Sequence, residues 1–354
     1  MRKSFAKILT SLLLMVFSAI FVYGCAKNEN LENVNIDRGK FAKEIDEDDV
    51  EFVNINTKDG GPTGYMEIDE DTAQGSDTMA ALLHLFTVAE HNYYRAKHVA
   101  RISLGEGSAS AEDILSGKMA VRSFMVRDGD RVYSQTVGRV YEGTEALLSA
   151  ARMVLDQGKR TLTVNFRTDN EITYKQEPKN SGDPDIQVED FPYARCNFNK
   201  DKVKTIDKNT PDEDDFSLKY KGELTNFKID SSTIVDGSYS VEYMDDDDIY
   251  KIVFEVDVAN DKAVERPRAS LRKSANSDDL QYKKYKVIME LWDNGLIRTY
   301  KTEESWEGTL KLIGNKGLNG KSESTNVDYY SWDRDDANID EYVKEGILSI
   351  DWIP

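Results

Sequence analysis

Apolar and polar residues alternate with a period of two along most of this 354-residue chain, and this alternation constrains the fold more than any other feature. Runs of this kind lie at 119–125, 132–137, 162–174, 239–256 and 285–300. Turn residues separate them, most clearly in Asp293-Asn294-Gly295, a combination typical of hairpins. The runs follow one another without the crossover helices that a parallel sheet requires. The sequence therefore predicts an antiparallel meander.

Three segments interrupt the alternation with helical periodicity, so the expected fold class is α+β. The strongest helix follows the N-cap signal Ser76-Asp77. A second is predicted at 144–156, and a third, weaker one at 261–273, interrupted by Pro267. The apolar stripe of the first helix contains Met79, Leu82, Leu83, Phe86, Ala89, Tyr93 and Ala96.

The first 24 residues have the form of a signal peptide, with a basic head and an apolar run from Ile8 to Val22. The following residues resemble the bacterial lipobox, with aliphatic Val22 three positions before Cys25 and small Gly24 directly before it. This resemblance implies that Cys25 is diacylated on its sulfur and becomes the mature N-terminus. A two-chain anchor suffices for stable attachment, which predicts the outer face of the bacterial cytoplasmic membrane. An uncleaved membrane-spanning anchor is the alternative, because the apolar run is near spanning length.

The charge balance excludes some classes of partner. The formal net charge is −19, and it becomes −22 without the first 24 residues, which carry three basic residues and no acid. Duplex nucleic acid and anionic headgroups need a basic face, so neither is an expected partner. The hydrophobic fraction of 39% exceeds that of a disordered acidic chain, so the acid belongs to the surface of a folded body. Cys196 has no partner once Cys25 is lipidated, and it is expected to be a structural thiol.

Composition divides the chain into three parts. Residues 1–24 are the signal peptide, and residues 25–76, rich in Asn, Asp, Glu and Gly, are expected to form a tether. Residues 77–354 are expected to form a single domain with a polar excursion at about 176–216. The tether would lift this domain off the membrane.

Three histidines, at positions 84, 91 and 98, are spaced by seven residues. On one helix this spacing separates neighbours by about 10.5 Å, too far for a single zinc ion. They fall opposite the stripe that contains Phe86, so His84, His91 and His98 are expected to face solvent. The sequence indicates no metal site there.

The acidic clusters are also weak candidates. Asp333-Arg334-Asp335 begins an alternating carboxylate pattern like that of a calcium loop, but Gly is missing at its sixth position. The run at 245–248 is expected to be a solvated hairpin tip. Glu303 and Glu304 point to opposite faces of a strand and could not flank one bond. The sequence indicates no catalytic constellation and no cofactor.

Several short segments between residues 78 and 308 form a recognisable set. They are Asn92-Tyr93-Tyr94, Gly129-Asp130 before Tyr133, Tyr250-Lys251-Ile252-Val253-Phe254 with Asp257 and Ala259, Asp293-Asn294-Gly295-Leu296-Ile297, and Glu304. These segments resemble those of uncharacterised lipoproteins of Gram-positive bacteria with the half-barrel of the LolA and LppX type. This resemblance implies a curved antiparallel sheet with helices packed in its concavity, able to hold an acyl chain.

The expected function is that of a cell-surface, lipid-anchored protein that binds or carries a hydrophobic ligand such as a lipid. The alternative is a non-catalytic interaction or structural module of the envelope that has no small-molecule ligand. The membrane, reached through the diacylglycerol anchor, and a lipid are the expected partners, and no protein partner is indicated. Candidate residues for a ligand cleft are Met79, Leu83, Phe86, Tyr93, Phe254 and Met289.

Overall fold

The computed structural model describes residues 78–96, 98–112, 115–128, 131–144, 159–167, 171–176, 203–207, 224–244, 249–275, 279–311 and 317–333. In chain order its elements are α1 (Thr78–Arg95), β1 (His98–Ala111), β2 (Leu115–Asp128), β3 (Arg131–Gly143), β4 (Lys159–Arg167), β5 (Glu171–Gln176), β6 (Val203–Asp207), β7 (Ser240–Met244), β8 (Ile249–Glu255), α2 (Asp261–Ala275), β9 (Gln281–Trp292), β10 (Ile297–Lys311) and β11 (Gly317–Ser331).

Within these residues the strands form one antiparallel sheet of 11 strands, in the order β6-β5-β4-β3-β2-β1-β11-β10-β9-β8-β7. Strands β1–β6 form one meander and β7–β11 form another. The first and last strands, β1 and β11, pair in the middle of the sheet. The sheet is open, because β6 and β7 end the order at opposite edges. The prediction of a large antiparallel sheet with few helices is confirmed.

Three of these strands were not predicted. The central strands β1 and β11 are rich in Gly and Ser and lack apolar alternation, as in the segments LGEGSASA and GKSESTN. Strand β6 lies inside the polar excursion and pairs with β5. The excursion is therefore not wholly a surface loop, because its segment 203–207 extends the sheet.

Other predicted features lie outside the described residues: the signal peptide 1–24 with the lipidation site Cys25, the tether 25–76, Cys196, the helix predicted at 144–156, the acidic run 245–248 and residues 334–341. Among the helices of the described part, none is long and apolar enough to span a bilayer.

Helix α1 packs across one face of the sheet, which we call the inner face. Phe86 makes an edge-to-face contact with Phe254 of β8, with ring centroids 5.7 Å apart. Seven residues later, Tyr93 makes a similar contact with Tyr330 of β11 at 5.8 Å. The helix therefore crosses several strands, and its buried side chains join those of β8–β11 in one hydrophobic cluster.

The C-terminal end of α1 is held by a buried arginine of β2. Arg127 Nη1 donates to the carbonyl oxygens of Tyr93 at 2.7 Å and Ala96 at 3.1 Å. These carbonyls lie in the last turn and just beyond it, where helical hydrogen bonds run out. The positive charge also opposes the partial negative charge of the helix C-terminus. Arg127 therefore caps the helix.

Helix α2 runs through Pro267 without a break, contrary to the predicted interruption. A proline has no N–H, so the carbonyl four residues earlier, that of Ala263, loses its helical donor. The backbone N–H of Lys228 donates to this carbonyl at 3.1 Å. The neighbouring segment thus satisfies the group that the proline leaves free.

A β-bulge in β9 turns two tyrosines toward the same face. Pairing with β10 skips one residue between Tyr282 and Lys284, so Tyr282 and Tyr285 are both buried. Phe227 stacks on Tyr285 with ring centroids 3.7 Å apart and lies 5.1 Å from Tyr282. The segment 224–239 therefore helps to cover the inner face of β9.

Candidate functional site

The inner face carries a strip of very small residues along its two central strands, β1 and β11. We call this strip the central trough, with a floor of Gly105, Gly107, Ala109, Ser322 and Ser324. The register places Gly107 beside Ser324 and Ala109 beside Ser322. No side chain of this floor extends beyond a hydroxyl.

Larger side chains stand on both sides of the trough. Glu304 and Trp306 of β10 pair with Ser324 and Ser322 and form one wall. On the other side, Met119 of β2 pairs with Gly107, and Val121 pairs with Gly105. The strands of the two walls are three inter-strand steps apart, about 14 Å. The side chains of the floor are therefore much shorter than those of the two walls.

The β10 wall carries two buried polar atoms without a hydrogen-bond partner among the described residues. They are Oε2 of Glu304 and Nε1 of Trp306. Each residue is only 3% exposed. A buried polar atom without a partner costs free energy and is uncommon in folded proteins. Two such atoms on adjacent inward positions of one strand mark this wall as a place where a ligand could bind.

Burial determines the ionisation of Glu304. It raises the pKa of this carboxyl to about 8, although a hydrogen bond from Ser324 acts in the opposite direction. At neutral pH the carboxyl is therefore mainly protonated and able to donate a hydrogen bond. The wall then presents two donors, an indole N–H and a carboxyl O–H.

The neighbouring Glu303 lies on the outer face, as the alternation predicts. Lys284 approaches its carboxylate to 2.8 Å and Lys301 to 3.0 Å. Partial burial tends to raise the pKa of Glu303, but the two lysines outweigh it and lower the pKa to about 2. Two consecutive glutamates thus have opposite ionisation behaviour, and they do not act on one substrate bond.

Polar contacts also occur on the inner face outside the trough. The hydroxyl of Tyr285 lies 2.9 Å from Thr225 Oγ1 and 3.2 Å from the hydroxyl of Tyr300. On the central strands, Arg101 Nη1 lies 3.4 Å from Asp328 Oδ2. This cation is therefore already neutralised by a neighbouring strand, and it is not a ready partner for an anionic ligand.

The six residues predicted to line a cleft lie in the hydrophobic cluster under α1. Phe86, Tyr93, Phe254 and Met289 are buried, while Met79 and Leu83 are partly buried and pack against the same cluster. Their contacts are with side chains of the chain itself, as in the pair Phe86–Phe254. Their contact with a ligand stays a prediction.

The prediction that the histidines face solvent is wrong at two positions. His84 is 3% exposed and His98 is 8% exposed, and His98 lies at the start of β1 rather than in α1. The reason is a second apolar stripe of α1, with Ala81, Leu85 and Val88 on the side of His84. Burial lowers the pKa of His84, which favours the neutral form. The side chain of His91 lies outside the described ones.

A concavity lies at the end of the sheet where β1 and β10 finish. It has a volume of about 830 Å³, and its lining is polar. Most of its side chains are exposed, including Glu112, Glu307 and Lys321, and Glu307 already pairs with Lys283 at 2.6 Å. In the described part of the chain, no three His, Cys, Asp or Glu side chains are grouped to hold a metal ion. This surface groove offers no comparable set of buried, unpaired groups.

Sequence reasoning missed the trough because it searched for large apolar side chains. The signal was present as small residues at alternate positions, Gly105, Gly107 and Ala109, in a stretch that reads like a loop. Glycine in a strand interior often marks a close approach of another group to the backbone. Trp306 and Glu304 could have been recognised by their position on the inward register of β10.

Comparisons with known proteins yield weak structural likeness. No protein-family model matches the chain, and no curated protein matches it. One similar solved structure is lipovitellin, studied for its lipid–protein interactions, with 10% identity and a TM-score of 0.29 over 67% of this chain. The chain spans about a quarter of the lipovitellin chain, 25%. Another is a LolA superfamily protein from Nitrosomonas europaea, with 10% identity and a TM-score of 0.16 over 71% of this chain and 91% of that one. Likeness at these scores establishes neither a shared fold nor a shared function.

Proposed function

We propose that this protein is an extracytoplasmic, lipid-anchored protein that binds a hydrophobic ligand such as a lipid in the central trough. The observation that carries the proposal is the trough itself. Its floor, made of Gly105, Gly107, Ala109, Ser322 and Ser324, lacks large side chains, whereas aromatic and aliphatic residues fill the neighbouring face over β8–β10. Protein interiors are close-packed, so the space above such a floor is normally filled by something else.

The location of the protein is part of the same proposal and rests on the N-terminal sequence. The basic head, the apolar run and Val22 to Cys25 support a lipid anchor on Cys25. Metabolic labelling with an alkyne fatty acid should mark the wild type but not Cys25→Ala. Equal labelling of both proteins would contradict the anchor without affecting the trough.

The ligand site is tested by blocking the trough from its floor. Ala109 and Ser108 are consecutive residues of β1, are both half-buried and point to opposite faces. Ala109→Phe should abolish binding of a hydrophobic fluorophore such as N-phenylnaphthylamine, while Ser108→Phe should leave it within about twofold. Equal binding by the two variants would place the ligand elsewhere.

Stability measurements on the same pair decide whether another segment of this chain occupies the trough. A ligand-filled trough predicts that Ala109→Phe costs little stability, below about 1 kcal/mol, because the new ring enters space that the chain does not use. A cost of about 3 kcal/mol would mean that the chain already packs there, and it would contradict the proposal.

One observation favours the alternative, an interaction module of the envelope without a small ligand. The aromatic cluster under α1 is filled by the chain's own side chains, as Phe86, Phe227 and Tyr285 show. This module would carry the same anchor and would present its acidic surface to another protein. Absence of fluorophore binding by the wild type, together with a stable fold, would favour it.

A further inference from the structure

The β10 wall of the trough carries a recognition feature that goes beyond binding of an apolar chain. Trp306 Nε1 and Glu304 Oε2 are buried, and within the described residues neither has a hydrogen-bond partner. The two residues are two positions apart on one strand, so their Cα atoms are separated by about 6.7 Å. Both belong to the inward row of β10, which the pairing of Glu304 with Ser324 and of Trp306 with Ser322 defines.

From this geometry we infer that the polar head of the ligand is a neutral hydrogen-bond acceptor, such as an ester or amide carbonyl, held by Trp306 and Glu304. The inference deepens the proposed function and rests on it. An indole N–H can only donate, so it selects an acceptor. The carbonyl oxygen of an ester has two lone pairs and can accept from both groups.

The charges around the wall exclude the other head groups. An anionic head would need a cation, but Arg101, which lies on the inward row of β1, is paired with Asp328. An anion would also lie beside an acidic side chain. A cationic head would favour Glu304 in its ionised form, but burial favours the neutral carboxyl. A neutral acceptor satisfies both donors without bringing a charge into the interior.

The experiment uses ligands with one chain length and different heads: methyl oleate, oleate, oleylamine and headless octadecene. Affinities for the full chain are measured by displacement of N-phenylnaphthylamine. Methyl oleate should bind the wild type about tenfold more tightly than octadecene, because it gains hydrogen bonds with two otherwise unpaired donors. Oleate and oleylamine should both bind more weakly than methyl oleate. Tightest binding of oleylamine or of oleate would overturn the inference.

Variants assign the preference to the two side chains. Trp306→Phe keeps an aromatic ring but removes the N–H, and it should reduce the advantage of methyl oleate over octadecene about fivefold. Glu304→Gln keeps a donor and should retain the advantage, whereas Glu304→Met should lose it. Trp332→Phe is the matched control, since Trp332 Nε1 donates to the carbonyl of Ile297 at 2.8 Å and lies away from the trough wall.

The outcomes separate this inference from the proposed function. If no probe binds the wild type, or if Ala109→Phe does not block binding, the trough is not the ligand site and both fail. If binding is blocked by Ala109→Phe but the head-group preference survives both Trp306→Phe and Glu304→Met, only the inference fails. Because the preference is a ratio of two affinities, a general loss of stability does not imitate the expected result.

Discussion

The two halves of the inner face are built from opposite kinds of side chain on the same sheet. Over β8–β10, large aromatic and aliphatic residues such as Phe254 and Tyr285 pack against α1 and the segment 224–239. Along the trough floor in β1 and β11, the inward positions carry Gly, Ala and Ser, including Gly107 and Ser324. Strand alternation is the same in both halves, but the filled volume differs. The first half therefore contributes more of the packing, and the second half is where we propose that a ligand binds.

The largest expected effect on stability comes from removing a buried side chain from the half over β8–β10. Phe86→Ala should destabilise the protein by about 3–5 kcal/mol, because it removes a buried ring that contacts Phe254. The matched change beside the trough is Val121→Ala, at a half-buried position, with an expected cost of about 1 kcal/mol. Urea unfolding measures both. Equal costs would remove the distinction between the halves.

The next effect is the pH dependence of stability that Glu304 causes. This residue lies on β10, at the boundary between the two halves. Its pKa rises from 4.5 to about 8 on folding, so the folded protein holds a proton that the unfolded chain releases in this window. Wild-type stability should therefore fall by about 1.4 kcal/mol per pH unit between about pH 4.5 and pH 8. Glu304→Gln removes this dependence and should be more stable than the wild type by about 3 kcal/mol at pH 7, with little difference near pH 4. If the free energies of unfolding of the wild type and Glu304→Gln changed in parallel with pH, the Glu304 carboxyl would not be buried.

Glu303 is the internal control, and its sign is opposite. Its pKa is lowered to about 2, so its contribution to stability is present above about pH 4.5 and is lost as the pH falls through about 2. Glu303→Gln should reduce stability at pH 7 by less than about 1 kcal/mol, because its ion pairs with Lys284 and Lys301 are partly exposed and solvent screens them. A gain in stability of Glu303→Gln at pH 7 would contradict the placement of Glu303 on the outer face and Glu304 on the inner face.

An effect of intermediate size concerns how α1 is attached to the central strands. Arg127→Met should cost about 2 kcal/mol, because two carbonyls at the end of the helix lose their donor. The control is Lys118→Met on the same strand, which should change stability little because solvent screens the exposed ion pair of Lys118 with Glu142. Thermal or urea unfolding distinguishes them. Similar costs would show that the helix end is not held by the arginine.

The sequence predicted the features that depend on local pattern. The hairpin at Asp293-Asn294-Gly295 and the helix that contains Tyr93 could both be predicted, because alternation and helical periodicity are local signals. The pairing of β1 with β11 was not readable, since it joins residues more than 200 positions apart. The burial of His84 was missed because a second apolar stripe was overlooked. The trough was missed because small residues have no hydrophobic signature, and only the register shows that they share one face.

The central claim is that a ligand lies in the trough, and photo-crosslinking tests it most directly. An acyl methyl ester with a diazirine in its chain would be bound to the purified protein, irradiated, and its attachment sites mapped by mass spectrometry. The account predicts adducts on peptides that contain residues 105–109 and 322–324, and their loss in Ala109→Phe but not in Ser108→Phe. Adducts confined to other parts of the chain, or equal labelling of the two variants, would contradict it.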